Sequence, residues 1–212
     1  MSAKHAGVLL AALAAVTMLS GCGSTTTAAV QSAPQVPVPI STPAGSASAP
    51  APTPVAQALA RSVPVTLDIP SIGVDTPLMR LGLNADGTVQ VPPIEANAPA
   101  GWYQGSPTPG QDGPSVILAH VTVGQFGNGV FLHLSRLKPG DRVDVRLQDG
   151  VSADFTVYRV ETVSKADFPT STVYGNVDRP ELRLITCGGS RNSNGSGYLD
   201  NVLVFASLDP GQ

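Results

Sequence analysis

Cysteine, histidine and charged side chains are scarce in this sequence, and each shortage excludes a class of protein. Two cysteines cannot form the multi-disulfide framework of a small secreted domain. Together with three histidines, they form no cluster with metal-ligand spacing, so neither a metal site nor a cofactor is expected. Charged residues make up 13% of the chain and the net charge is −3. This composition argues against a nucleic-acid-binding surface or a polybasic membrane patch.

The chain begins with the pattern of a secretory signal peptide. Lys4 precedes the apolar run GVLLAALAAVTML, residues 7–19, which is short for a bilayer span but sufficient for the hydrophobic region of a signal peptide. The run leads into LSGC, which resembles the bacterial lipobox. The resemblance implies that residues 1–22 are a lipoprotein signal peptide and that Cys22 is lipidated; an uncleaved anchor is the alternative. Both interpretations hold the remaining chain at the outer face of the cell membrane.

Residues 23–61 have the composition of an extended linker. Alanine, proline, serine and threonine dominate, and no charged residue occurs between positions 23 and 60. Such a segment buries too little apolar surface to offset the entropy lost on ordering. We expect a disordered, polyproline-leaning stalk that lifts a folded domain away from the membrane.

Residues 62–212 have the pattern of a folded all-β domain. Short apolar runs are separated by Pro-Gly and Asp-Gly turns, and Val143, Val145 and Leu147 alternate with polar residues. SVILAHVTV, residues 115–123, predicts a buried strand. No sustained helical periodicity occurs, although residues 129–137 are compatible with one short helix. The pattern predicts a β-barrel or β-sandwich.

The candidate chemistry centres on a lone thiol. If Cys22 is consumed by lipid, Cys187 has no cysteine to pair with, and it is either an inert packed residue or a nucleophile. His120, at the end of the predicted strand, is the natural proton-transfer partner. Acyl transfer also needs a donor for the developing oxyanion. Gly188 and Gly189 would permit close backbone approach beside the thiol.

Taken together, ITCGG (residues 185–189), the strand before His120 and the closing YLDNVLVFA (residues 198–206) resemble a sortase, specifically the class F-like sortases of actinobacteria. The resemblance covers nearly the whole predicted domain. It implies an eight-stranded β-barrel. It also implies a cysteine transpeptidase that cleaves an LPXTG-like sorting signal through an acyl-enzyme and passes the protein to a cell-wall amine or to water.

The resemblance also implies roles for individual residues. Cys187 would be the nucleophile, His120 its proton-transfer partner, and Thr186 part of the substrate-binding site. Many sortases carry an arginine on the last strand, where this chain has Asn201 at the matching spacing. The arginine role therefore falls to Arg191.

Arg183 is the competitor for the arginine role. It precedes Cys187 by four positions, so in a regular strand it shares that residue's face, and we predict that it contributes to substrate binding. A second departure is Thr122, which stands where relatives commonly carry an aspartate two residues after the histidine. This replacement bears on substrate preference or rate more than on the class of reaction.

The implied partners are surface proteins with a C-terminal LPXTG-like sorting signal and a peptidoglycan-precursor amine as acceptor. Nucleic acid is not expected as a partner. Two alternatives remain open from the sequence. One is a sortase-fold lipoprotein that acts as a peptide hydrolase or as a non-catalytic binding module, and the other is a structural wall lipoprotein in which Cys187 is buried.

Overall fold

A computed structural model describes residues 56–193, 195 and 197–211. The predicted signal peptide, Cys22 and residues 23–55 of the predicted linker lie outside the described residues. The last residues assigned to the linker contact the barrel: the Leu59 amide donates to the Gly110 carbonyl at 2.8 Å, and Ala56 and Leu59 pack against the core. None of the helices in the described ranges has the length and apolar character needed to cross a membrane.

The fold is a closed β-barrel, which confirms the predicted fold class. Around the barrel the described strands follow the order β1-β2-β3-β4-β7-β8-β6-β5. Their bounds are β1 Pro64–Ile69, β2 Val74–Leu81, β3 Ala100–Tyr103, β4 Gly113–Leu118, β5 Arg142–Leu147, β6 Ser152–Ser164, β7 Pro180–Arg191 and β8 Tyr198–Leu208. The β2–β3 and β4–β7 pairs are parallel, and the other pairs are antiparallel.

Helical structure is confined to short connections. One α-helix, α1 Thr170–Tyr174, lies between β6 and β7. Single 3-10 turns occur at Pro70–Ile72, Gly124–Phe126, Leu134–Arg136 and Lys165–Asp167. The helix considered for residues 129–137 is therefore reduced to one 3-10 turn, and α1 was not predicted from periodicity because five residues are too few to show it.

The barrel interior is filled by the inward residues of alternating strands. Val143, Val145 and Leu147 of β5 are fully buried as predicted, and Phe155 of β6 packs with them. Because successive side chains of a strand point to opposite faces, one alternating run supplies both the interior and the outer surface. Burial of this apolar area is the main force that closes the barrel.

A second, smaller apolar cluster lies on the outer face of the barrel and is called here the outer-face cluster. It contains Val116 of β4, Ile185 of β7, Leu203 and Phe205 of β8, and Val173 of α1. The connection between β6 and β7, which contains α1, covers part of this face. Val116 of this cluster lines an apolar depression together with residues that pack against the cluster, which are Tyr103, Phe168 and Tyr174.

The strand predicted for residues 115–123 ends earlier, at Leu118. Beyond Leu118 the chain leaves the sheet and is bonded instead by the following loop, since the amide of Gly129 donates to the Val121 carbonyl at 3.0 Å. One of the Asp-Gly turns of the sequence is at Asp86 and Gly87. Around it the chain forms only an isolated bridge between Leu83 and Val89, and not a strand.

Candidate active site

The parallel pairing of β4 with β7 ends two residues before His120 and Cys187. Leu118 is in register with Ile185, and the amide of Ala119 donates to the Ile185 carbonyl at 3.2 Å. The hydroxyl of Thr186 also donates to the Ala119 carbonyl. The residues directly before His120 and Cys187 are therefore bonded to each other, although the separation of the two candidates in sequence gave no indication of it.

Thr186 links the chain segment before Cys187 to the chain segment before His120 by a hydrogen bond. Its side chain is buried, and its hydroxyl donates to the Ala119 carbonyl at 2.7 Å. The hydroxyl is therefore bonded within the protein. Its hydrogen bond joins the residue directly before Cys187 to the residue directly before His120. The substrate-binding role that we assigned to Thr186 from the sequence stays a prediction.

His120 is held from both sides by backbone contacts. Its Nε2 lies 2.6 Å from the Pro92 carbonyl oxygen. Because a carbonyl oxygen only accepts, Nε2 carries the hydrogen in this contact. The His120 carbonyl accepts from the Phe131 amide at 3.0 Å. The imidazole is thus oriented by two loops as well as by β4.

Gly129 makes one of these contacts possible, and its replacement gives a testable prediction. A Cβ at Gly129 would overlap the His120 carbonyl, so Gly129→Ala must push the histidine segment away. Overpacking of this kind costs about 1–3 kcal/mol of stability, and displacement of a catalytic group by about 1 Å costs about 100-fold in rate. We expect a loss of that order in kcat/KM for peptide cleavage.

Gly82→Ala is the matched control for Gly129→Ala. Its added Cβ would meet only movable side-chain atoms of Gln104 and Gln90 at 3.4 Å, so we expect near-normal activity. Equal activity of the two variants, measured with a cleavable peptide, would contradict the positioning role of the loop.

Cys187 is a half-buried free thiol that contacts a lysine. Lys165 Nζ lies 3.5 Å from Cys187 Sγ. The thiol borders a cavity of about 350 Å³ whose lining includes Thr186, Gly188 and Tyr198. Sequence reasoning missed Lys165, because an exposed lysine after a strand carries no motif.

The glycine pair after the thiol has a steric reason. Gly189 has φ +68°, a left-handed conformation that favours glycine, and a Cβ there would overlap the Asp200 carboxylate. A Cβ on Gly188 would come within 2.6 Å of Val202 Cγ2. The two glycines therefore let the chain turn tightly against β8 immediately beyond the nucleophile candidate.

Arg191 is engaged within its own loop at the rim of this cavity. Its guanidinium donates to the Gly195 carbonyl and to the Tyr198 hydroxyl, each at 3.1 Å. The guanidinium carbon also lies 4.8 Å from the centroid of the Tyr198 ring. Because Tyr198 lines the cavity, Arg191 is close to the site, but two of its N–H groups donate to its own loop.

Arg183 lies on the same face of β7 as Cys187, as predicted, but points elsewhere. Only 3% of the residue is exposed, its guanidinium forms an ion pair with Glu181, and it stacks on Phe205. Four strand residues separate it from Cys187 by about 13 Å, and Glu181 lies further away still. The structure does not bring Arg183 to the thiol; Asn201 is instead the direct cross-strand partner of Cys187.

In the part of the chain that the structure describes, no group of three or more histidine, cysteine, aspartate or glutamate side chains is arranged to hold a metal ion. The arrangement that is present consists of a thiol in contact with an ammonium group and an imidazole on the neighbouring chain segment. These are the elements of nucleophilic acyl transfer, in which sulfur attacks, imidazole moves the proton and a cation stabilises charge.

Residues 67–209 match the family described as the sortase domain, which is most of the chain and all of the barrel strands from β2 to β8. The chain belongs to the sortase family. This family is one of cysteine transpeptidases associated with the cell surface, and its members act on surface proteins that carry sorting signals. The sequence-based resemblance to sortases is confirmed at this level. No curated protein matches the chain.

Solved sortases share the barrel of this sortase. Sortase A from Corynebacterium diphtheriae aligns with a TM-score of 0.51 and 22% identity over 72% of this chain and 65% of that chain. Sortase C-1 from Actinomyces oris aligns with a TM-score of 0.51 and 22% identity, over 69% and 73% of the two chains. The pilus-related sortase C of Group B Streptococcus gives 0.52 and 18%, over 72% and 70%. At these identities the likeness shows the fold.

The sortase barrel also has a larger depression on the outer face, next to the outer-face cluster. Its volume is about 620 Å³, and its lining includes Tyr103, Val116, Phe168 and Tyr174. Burial, with a smaller contribution from Tyr103, raises the pKa of Tyr174 above its ordinary value. Tyr174 therefore keeps its phenolic proton at neutral pH, and the depression is largely apolar and uncharged.

Proposed function

We propose that this sortase cleaves an LPXTG-like sorting signal of surface proteins through an acyl-enzyme on Cys187, and transfers the protein to a cell-wall amine. The observation that carries the proposal is the hydrogen bond between Thr186 and Ala119 beyond the β4–β7 pairing, which joins the residues directly before Cys187 and His120, in a chain of the sortase family. We propose the class F-like affiliation on the strength of the ITCGG and YLDNVLVFA segments.

The proposed reaction has two transfers. Cys187 Sγ attacks the scissile carbonyl, the peptide C–N bond breaks, and the departing amine takes a proton delivered by His120. The resulting thioester is then attacked by the acceptor amine, which gives up a proton as the C–S bond breaks and the thiol is regenerated. The thioester intermediate divides amide exchange into two steps, and each step has a smaller barrier than direct exchange. This is the advantage of covalent catalysis.

The outer face supports an extended, partly apolar peptide as the substrate. Ile185 of the outer-face cluster is two residues from Cys187 on β7 and so shares its face, and Val116 of the same cluster lines the depression. A peptide that lays an apolar side chain in the depression would extend along β7 toward the thiol. Apolar clefts with few polar groups are the usual form of a specific small-ligand or peptide site.

We further propose that the enzyme acts outside the cytoplasmic membrane, held at the outer face by lipid on Cys22. The signal-peptide pattern of residues 1–22 supports this location, since it is the pattern of a bacterial lipoprotein. Under this proposal the partners are membrane-retained surface proteins and a peptidoglycan-precursor amine.

The decisive experiment uses the full chain in detergent with a panel of fluorogenic LPXTG-type peptides, with and without an amine acceptor. Cleavage with an amine-dependent ligation product is the expected result. Cleavage by water alone, unchanged by amine, would favour the peptide hydrolase. No cleavage, together with a Cys187 thiol inert to a thiol-reactive probe, would contradict an enzyme and favour the binding lipoprotein.

A further inference from the structure

We infer that Lys165 is a catalytic residue: its ammonium group binds the oxygen of the scissile carbonyl as negative charge develops there. The inference deepens the proposed acyl transfer and rests on it. It assigns the positive charge of the site to a lysine on the connection after β6, where the sequence pattern had assigned it to an arginine.

The strand order explains how Lys165 reaches the thiol. Val163 of β6 pairs with Asn201 of β8, and Asn201 pairs with Cys187 of β7. Lys165 follows Val163 by two positions, so it leaves the sheet on the same outer face. Its long side chain crosses above β8 and brings Nζ to 3.5 Å from Cys187 Sγ.

The arginines of the neighbourhood are otherwise engaged. Arg191 donates to its own loop, and Arg183 is buried against Glu181. The residue directly opposite Cys187 is Asn201, which carries no charge. Among the described residues, Lys165 is therefore the cation that contacts the sulfur.

The position of the ammonium suits the charge that forms. When Sγ bonds to the carbonyl carbon, the carbonyl oxygen becomes an oxyanion. This oxygen is attached to the carbon atom that is now bonded to sulfur. A lysine beside the sulfur presents three rotatable donors to that oxygen, and a charge-assisted hydrogen bond is stronger than a neutral one. Lys165 is solvent-exposed in the free enzyme, so its charge is screened until a bound peptide excludes water from the face.

The chain offers a matched control for removing this charge. Lys138 is the other lysine of the described residues; it is exposed, on the turn before β5. We expect Lys165→Ala and Lys165→Gln to lower kcat by about 10²–10³-fold, the range measured for losing one oxyanion donor, with a much smaller change in KM. Lys138→Ala should keep wild-type kcat, and Lys165→Arg should recover a large part of the lost rate.

A rescue variant separates charge from structure. Asn201→Arg places a guanidinium directly across from Cys187, so adding it to Lys165→Ala should restore kcat by at least about tenfold. A merely structural lysine would not be replaced from a different strand. Thermal melts of each variant establish that the barrel is intact, which is expected because Lys165 is exposed.

Three results would count against the inference. If the wild type cleaves the peptide and the kcat of Lys165→Ala is within about threefold of the wild-type kcat, this inference is overturned and the proposed function is unaffected. A large kcat loss in Arg191→Ala with little loss in Lys165→Ala returns the role to Arg191. A wild-type protein that cleaves no sorting peptide overturns the proposed function and this inference with it.

Discussion

Replacing Cys187 by alanine is expected to reduce kcat/KM for sorting-peptide cleavage by at least about 10³-fold. In the proposed reaction this thiol forms the covalent bond, and removal of a nucleophile typically eliminates nearly all of the chemical rate. His120→Ala is expected to fall in the same range, because the attacking and departing atoms then exchange protons with water alone. A double variant should be little worse than either single one, since the residues act as a unit.

Two controls make this result interpretable. Cys187 is half-buried and small, so its loss should leave the melting temperature near the wild-type value, unlike a core truncation. His133→Ala removes the other histidine of the described residues from a surface 3-10 turn and should keep full activity. Retained cleavage in Cys187→Ala, detected by mass spectrometry of the peptide products, would contradict a cysteine mechanism outright.

The largest expected effect on stability comes from a buried ionic group far from the thiol. Glu181 is 1% exposed, forms ion pairs with Arg183 and Arg179, and accepts from the Tyr158 hydroxyl at 2.9 Å. Glu181→Ala leaves the Arg183 guanidinium buried without its carboxylate. Breaking a buried pair in this way costs about 3–5 kcal/mol, which lowers the melting temperature by roughly 10 °C in a domain of this size.

Asp178→Ala is the control for the same ionic group. Asp178 is the other partner of Arg179, but 97% of its side chain is exposed, and exposed pairs contribute about 0–1 kcal/mol. Thermal or urea unfolding of the two variants should therefore separate them by several degrees. Similar stabilities would mean that Arg183 finds another partner when Glu181 is absent.

The barrel was predictable because its inward residues alternate with polar ones. This alternation predicts a strand with one buried face, and the structure buries Val143, Val145 and Leu147. Phe155 continues the interior on the next strand. The end of β4 was not predictable in the same way. Hydrophobicity continues to Val123, and only the hydrogen bonds of the later loop reveal that the chain has left the sheet.

The active-site pair could be proposed from residue types and family resemblance, but the charge beside it could not. Cys187 and His120 belong to recognisable segments, and the hydrogen bond from Thr186 to Ala119 joins the residues directly before them. Lys165 has no such segment, and its contact with sulfur depends on β6 being next to β8 and β8 next to β7. That order is a property of the closed sheet and leaves no local trace in the sequence.

Arg183 illustrates the opposite limit. Strand parity correctly predicted that it shares a face with Cys187. The alternation of side chains does not predict which partner a side chain contacts along that face. Glu181 binds the Arg183 guanidinium on the side away from the thiol. The pattern of a strand thus determines the face of a residue, while its contacts depend on charges brought in by other elements.

The closed ring of hydrogen-bonded strands has a consequence for how a peptide is recognised. An open sheet can bind an extended peptide by adding it as one more strand at a free edge. In this barrel each of the described strands has a neighbour on both sides along part of its length, so the edges left for such augmentation are short. They lie where β7 continues beyond Ile185, its last residue paired with β4, and where β6 continues beyond Thr156, its last residue paired with β5. Loops and side chains must therefore supply most of the contacts to a bound peptide. Changes in the connection around α1 should therefore alter peptide selectivity without disturbing the strand ladder.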